Sequence, residues 1–160
     1  FAFAAEALVG QAMGAQARDR LRRSAVLSSL WGGLICVALA LSFAVFGGTV
    51  IDIMAKSAEV QDTARVYLPY MVAAPIVGVA AWMLDGIFIG ATRTKDMRNM
   101  MIISAIIYFA AVIPLMAMFG NHGLWLGMLL SFIVRGATLG WKYPALEAAA
   151  DAPSKPVATA

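Results

Sequence analysis

Val26 to Gly48 runs without a single charged side chain and is long enough to cross a lipid bilayer as a helix. Three more apolar runs follow at 66–92, 99–119 and 124–143, and a fifth, 1–17, opens the chain. With no water in the bilayer core to receive backbone N–H and C=O groups, each run has to bond its own backbone, as a helix does. The fold class this implies is an all-α integral membrane protein, a helical bundle of about five transmembrane helices with the first one truncated. Composition agrees: 62% of residues are hydrophobic, only 13% are charged, and the mean hydropathy is +0.82, which leaves too little polar surface for a soluble domain.

The opening residue, Phe1, already lies inside an apolar run. No positive n-region precedes it and no small-residue cleavage site follows, so it does not read as a signal peptide. The expectation is a C-terminal piece of something longer. In this first run Gly10, Met13, Gly14 and Ala17 fall three or four apart, which places small residues on one face for close helix contact.

The connecting segments carry the charge. Residues 18–23, RDRLRR, and the segment Arg93–Arg98 are basic, whereas Gly120-Asn121-His122-Gly123 reads as a tight turn with no Lys or Arg. Segment 49–65 mixes Asp52, Lys56, Glu59, Asp62 and Arg65 with apolar residues, and is expected to form a short amphipathic helix in the membrane interface. The Lys/Arg bias sets the two basic segments and the tail on the cytoplasmic side. Trp141, Lys142 and Tyr143 mark the interface at the end of the last span. Pro69 is expected in the first turn of its helix, where a missing N–H costs little. Pro75 and Pro114 are expected to bend their helices. The tail, 144–160, rich in Ala and Pro, is expected to be disordered.

Three charges lie within the spans: Glu6, Asp85 and Arg135. Asp85 is eight residues from Arg93, roughly 12 Å, and Arg135 is seven residues from Lys142, roughly 10 Å from the same side. The two are nearly level, so an Asp85–Arg135 pair is geometrically open. Glu6, twelve residues from Arg18, is roughly 18 Å deep, near the bilayer centre. A charge at such depth is expensive, by roughly 2.5–3.5 kcal/mol on insertion scales, and calls for a reason. One reason is function: a carboxylate in a low dielectric readily exchanges its charge for a bound proton or cation, and the change alters which helix packing is preferred. The other is structural: Asp85 neutralises Arg135, and Glu6 hydrogen-bonds across a small-residue contact. Gln11 shares a helix with Glu6 and either lines a cavity or bonds to a neighbouring helix. His122, in its turn, reads as a water-exposed residue rather than a pH sensor.

Other chemistry finds little footing. No G-x-S-x-G or H-E-x-x-H is present, and the single His lacks a second imidazole with which to build a metal or nucleophile site, so neither an enzyme nor a metal protein is expected. Cys36 is the only cysteine, which excludes an intrachain disulfide. The basic residues serve orientation in the membrane, and nucleic acid is not an expected partner.

Three stretches carry a family likeness. They are Ala4-Ala5-Glu6-Ala7-Leu8-Val9-Gly10-Gln11-Ala12-Met13-Gly14-Ala15, Leu84-Asp85-Gly86-Ile87-Phe88-Ile89-Gly90-Ala91-Thr92-Arg93 with Met97-Arg98-Asn99, and Gly120-Asn121-His122-Gly123-Leu124-Trp125. They resemble the multidrug and toxic compound extrusion (MATE) transporters, and within them the bacterial DNA-damage-inducible protein F branch, from Phe1 to about Tyr143. The resemblance implies a twelve-helix protein in two six-helix lobes, of which this chain would be the C-terminal lobe with the N-terminal lobe missing. It implies a bacterial inner-membrane location with a cytoplasmic C-terminus, and export of small organic, often cationic compounds in exchange for protons or sodium, with no other cofactor. That branch's coupling acid lies in the N-terminal lobe. Other branches use C-lobe carboxylates, and Asp85 stands about one helical turn from theirs. Under this resemblance Glu6 and Asp85 become cavity carboxylates, Arg135 a counter-ion with Gln11 in support, and Pro75 and Pro114 the bends for rocking between states. The alternatives are a lipid-linked precursor flippase of the same superfamily, which would carry more cationic residues in its cavity, and a stand-alone membrane subunit acting by helix packing.

Overall fold

The computed structural model describes residues 2–151. Five helices hold nearly all of them: α1 (Ala2–Gly14), α2 (Arg18–Met54), α3 (Ala58–Gly90), α4 (Thr94–Phe119) and α5 (Asn121–Ala149). No strand occurs among the described residues. Helices α2 to α5 are each long and apolar enough to cross a membrane. α1, with 13 residues, covers roughly 20 Å, less than the roughly 30 Å hydrocarbon core.

Connections are short, and successive helices reverse direction. The basic segments and the end of α5 meet at one end of the bundle, where Arg18 bonds Asp151 at 3.3 Å and Arg93 donates to the Ala145 carbonyl at 3.3 Å. At the opposite end Asp52 pairs with Arg65, and the Tyr70 hydroxyl meets His122 Nδ1 at 3.1 Å. α3 and α5 therefore run parallel, both toward the basic end.

Several boundaries differ from the sequence reading. Segment 49–65 is not a separate interfacial helix. α2 continues through Met54 and α3 begins at Ala58, so only residues 55–57 connect them. Asp52 and Arg65 face each other across this hairpin and neutralise one another, and Gln61 Nε2 donates to the Ala55 carbonyl at 2.8 Å. The mixed charges are thus the polar ends of two helices longer than the bilayer core. As a result Pro69 lies well inside α3 and not in its first turn. RDRLRR forms the start of α2 rather than a loop, and most of the 93–98 segment is the start of α4. The expected turn at 120–123 contracts to Gly120 alone. Its φ of 57° lies in the left-handed region that glycine adopts freely, and His122 and Gly123 are already helical. The tail is helical through Ala149, with Leu146 buried and Glu147 facing Arg18 and Arg22. The rest of the expected disordered tail, 152–160, lies outside the described residues, as does Phe1.

Two helix ends close in the same way. After α3 the Thr92 N–H bonds the Ile89 carbonyl and the Arg93 N–H bonds the Phe88 carbonyl, both at 2.9 Å, with Thr92 at φ 56°. After α1 the Gln16 N–H reaches Met13 and the Ala17 N–H reaches Ala12, with Gln16 at φ 50°. These are Schellman closures, which satisfy carbonyls that the helix leaves open.

α3 is the axis of the bundle. It packs against α1, α2 and α5, while α4 packs mainly on α5. Of the most apolar stretch of α3, 39% is buried, against 11% for α2, whose Leu30, Trp31, Leu34, Val45 and Phe46 face outward. Such an apolar exterior suits lipid. Contact with α1 is made by glycine: a Cβ at Gly86 would strike the Ala2 carbonyl, and one at Gly90 the Glu6 carbonyl. The α1 face turned inward is Ala5, Val9 and Ala12, with Gly10 against the Gly90 carbonyl, whereas Gly14 stands in open space. Gly123 approaches the α4 backbone at Leu115 in the same manner, and Gly127 packs on Val112.

Gly90→Ala is expected to destabilise the fold by about 1–3 kcal/mol, the usual cost of overpacking. Gly33→Ala places its new Cβ in open space and should be neutral or slightly stabilising. Thermal unfolding in detergent, followed by circular dichroism, compares them, and equal midpoints would remove the α1–α3 contact as a determinant of stability.

Candidate functional site

Asp85 lies in the second half of α3, and Arg135 lies on α5 about one helical turn further from the basic end. The approach of the two helices is set by backbone packing at Gly136, next to Arg135 and about a turn before Asp85. A Cβ at Gly136 would sit 3.4 Å from Ala80 Cβ and 3.5 Å from the Ala81 nitrogen, so α3 and α5 approach where neither carries bulk. The Arg135 side chain then reaches its partner with two parallel contacts: Nη2 lies 2.8 Å from Asp85 Oδ2, and Nε donates to Oδ1 at 3.1 Å. This fork-on-fork geometry uses the planar guanidinium fully and resists rotation of either group. The side chains are only 17% and 25% exposed, so lipid or water reaches little of either. A lysine at position 135 would supply the charge without the fork.

Arg135 also borders a groove of about 300 Å³ between α4 and α5, lined by Ser104, Tyr108, Ser131 and Phe132. The Ser104 and Ser131 hydroxyls donate to their own helices, to the Met100 and Met128 carbonyls. Their oxygens stay available as acceptors. The guanidinium is thus shared between a carboxylate on one side and a mixed polar and aromatic groove on the other. Trp82 meets Phe132 edge-on beside it, with ring centres 5.5 Å apart.

The other candidate residues are placed differently. Glu6 is half-buried on α1 with its backbone against Gly90, and its carboxylate has no hydrogen bond or ion pair among the described residues. Gln11 is exposed and turns away from the Asp85–Arg135 pair, toward a groove shared with α2. Pro75 is buried within α3 and Pro114 lies within α4. Each removes one helical hydrogen bond, to the carbonyl four residues earlier.

A second cluster lies at the opposite end of the bundle. His122, in the first turn of α5, is not a free turn residue: it bonds Tyr70 and lies 5.0 Å from the Tyr67 ring. Trp125 stacks against both tyrosines at about 6 Å. The signal for this cluster was weak in the sequence, because aromatic residues at a membrane interface are ordinary. The signal for the glycine contacts was stronger and was missed: Gly86 and Gly90, like Gly123 and Gly127, carry the G-x-x-x-G spacing of close helix pairs.

Comparison with known proteins adds a family. The sequence model of the MatE family matches residues 1–115. DNA damage-inducible protein F of Escherichia coli (strain K12) is 34% identical over 139 residues, which cover 87% of this chain and 30% of that protein. The chain thus spans less than a third of the length of this curated relative. No solved structure gives a significant match.

Breaking the pair from one side should be costly. Arg135→Leu leaves a lone carboxylate in hydrocarbon and is expected to destabilise by roughly 3–5 kcal/mol, as one-sided loss of buried pairs does. Asp85→Leu with Arg135→Leu should cost less than the sum of the two single changes. Reversible unfolding in mixed micelles measures all three, and strict additivity would show that the two charges do not interact.

Proposed function

The chain belongs to the MatE family, and from that premise we propose that it is the C-terminal lobe of a cation-coupled antiporter that exports small organic compounds. The family match supports transport, and the Asp85–Arg135 pair supports coupling. The pair joins two parallel membrane helices by two charge-assisted hydrogen bonds. A proton or sodium ion arriving at Asp85 competes with the guanidinium for the same carboxylate oxygens. When it binds, the fork opens, Arg135 is released toward the α4–α5 groove, and α3 and α5 lose the charge-assisted contact between them while the Gly136 packing remains. When it leaves, the pair closes again. One cation therefore selects between two packings of the same helices, which is the chemical requirement for alternating access.

In this reading the substrates are small organic compounds, often cationic, and the partner is an N-terminal lobe of the same protein in a bacterial inner membrane, with the basic end of the bundle cytoplasmic. Glu6 is a second cavity carboxylate with no cation of its own in the described structure, suited to a cationic substrate or a coupling ion. Gln11 supports the α1 side. Pro75 and Pro114 weaken their helices at single hydrogen bonds and serve as bends during rocking.

In the full-length protein, Asp85→Asn is expected to abolish substrate-driven proton or sodium movement into proteoliposomes while leaving membrane insertion intact. The amide keeps the shape and loses the charge. Flux is read with a pH-sensitive or sodium-sensitive dye, and wild-type flux from this variant would take Asp85 out of the mechanism.

A further inference from the structure

The four arginines at the start of α2 divide into two pairs. Arg18 and Arg22 turn toward the end of α5, where Arg18 meets Glu147 at 3.7 Å and Asp151 at 3.3 Å, and Arg22 meets Glu147 at 3.8 Å. Arg20 and Arg23 form no ion pair among the described residues: Glu147 and Asp151 are engaged by Arg18 and Arg22, and Asp19, beside Arg20 and four residues before Arg23, is exposed and bridges to neither. Both line a groove of about 420 Å³ between α1 and α2, together with Gln11, Ser24, Leu8 and Leu27. On α2 these residues follow the spacing of one helix face, 20, 23, 24 and 27, and on α1 positions 8, 11 and 12 do the same.

The groove therefore has two chemically distinct parts. At its polar end stand two unpaired guanidiniums, a hydroxyl and an amide, all able to donate to phosphate oxygens. At its apolar end stand Leu8 and Leu27, and from Leu27 the outward stripe Leu30, Trp31 and Leu34 continues along α2. Its volume is in the range of small-molecule sites. A free anion would use only the first part, and a zwitterionic phospholipid brings to it a phosphate already offset by its own headgroup cation. An anionic phospholipid uses both.

We propose that the α1–α2 groove is a binding site for an anionic phospholipid, with its headgroup phosphate held by Arg20 and Arg23 and its acyl chains laid along the Leu27–Leu34 face. The site is separate from the Asp85–Arg135 pair and does not depend on the transport reading. It needs only that α2 lies in a membrane with its basic end at the headgroup level. Bound there, the lipid bridges α1 to α2 and supplies the negative charge that Arg20 and Arg23 lack.

The test uses the full-length protein in detergent and native mass spectrometry, with dioleoyl-phosphatidylglycerol, dioleoyl-phosphatidylcholine and sodium phosphate as probes. Phosphatidylglycerol should be retained in preference to phosphatidylcholine, and millimolar phosphate should not displace it. Arg20→Gln with Arg23→Gln should lower the preference by about fivefold per arginine removed. Arg98→Gln, at the same end but, among the described residues, bonded only to its neighbour Asn99, should leave it unchanged. A measurement on the unmodified protein covers poor folding of the double variant: phosphatidylglycerol carrying a diazirine beside its headgroup should cross-link to peptides within residues 8–27. Equal retention of the two lipids, displacement by free phosphate, equal loss in the Arg98 variant, or cross-links elsewhere would each overturn the proposal.

Discussion

Helices surrounded by lipid gain nothing by hiding apolar side chains from one another, so backbone approach and a few polar contacts have to hold this bundle together. The chain meets that constraint with glycine. Gly86 and Gly90 admit the backbone of α1 to α3, Gly136 admits α5 to α3 at Ala80 and Ala81, and Gly123 admits α4 to α5. Each close approach brings two helix backbones into dispersion contact along their length. Large residues such as Leu30, Phe46 and Ile106 can then face outward without weakening the interior. With α3 held on three sides, its second half becomes the most enclosed part of the molecule, with Phe88 and Ile87 almost without exposure.

That enclosure explains why a carboxylate can be carried there. Asp85 lies one residue before Gly86 and three before Phe88, in the helix that the other elements surround. A charge in this position is tolerated because the Gly136 contact brings α5 close enough for Arg135 to bond both carboxylate oxygens. The geometry of the pair depends in turn on the spacing of the two helices that carry it. The ends of the bundle are secured separately, by the Tyr67–Tyr70–His122–Trp125 cluster at one end and by Arg18, Arg22, Glu147 and Asp151 at the other.

Much of this was legible before any coordinates. The apolar runs identified the long helices, and the levels of Asp85 and Arg135 left their pairing open. Errors fell where charges mark the ends of helices. Asp52, Lys56, Glu59, Asp62 and Arg65 look the same by composition whether they cover an interfacial helix or the projecting ends of two spanning ones. The Asp52–Arg65 contact is what distinguishes the two. Residues 144–149 looked like tail because Pro144 and a run of alanines carry no apolar period. They are helical, with Leu146 buried and Glu147 meeting arginines from the start of α2.

The sequence by itself determined the class of structure and the medium it occupies, since length and hydropathy are properties of each segment alone. It also placed Asp85 and Arg135 closely enough in depth to leave their pairing open, because a helix rises by a constant amount per residue. Glu6, expected near the bilayer centre, instead lies with its backbone against Gly90, nearer the basic end than Asp85, because α1 projects past the end of α3. Only the tertiary structure decided which charges meet. Asp85 and Arg135 are joined, whereas Glu6, on a helix equally rich in small residues, is left with no ion partner among the described residues. Arg18 finds Asp151 across 133 residues while Arg20, two positions further on, forms no ion pair among the described residues. A one-dimensional pattern specifies depth along a helix, but it does not specify how each helix is rotated about its axis or which neighbour it touches. Those were set here by where the glycines allow backbones to close.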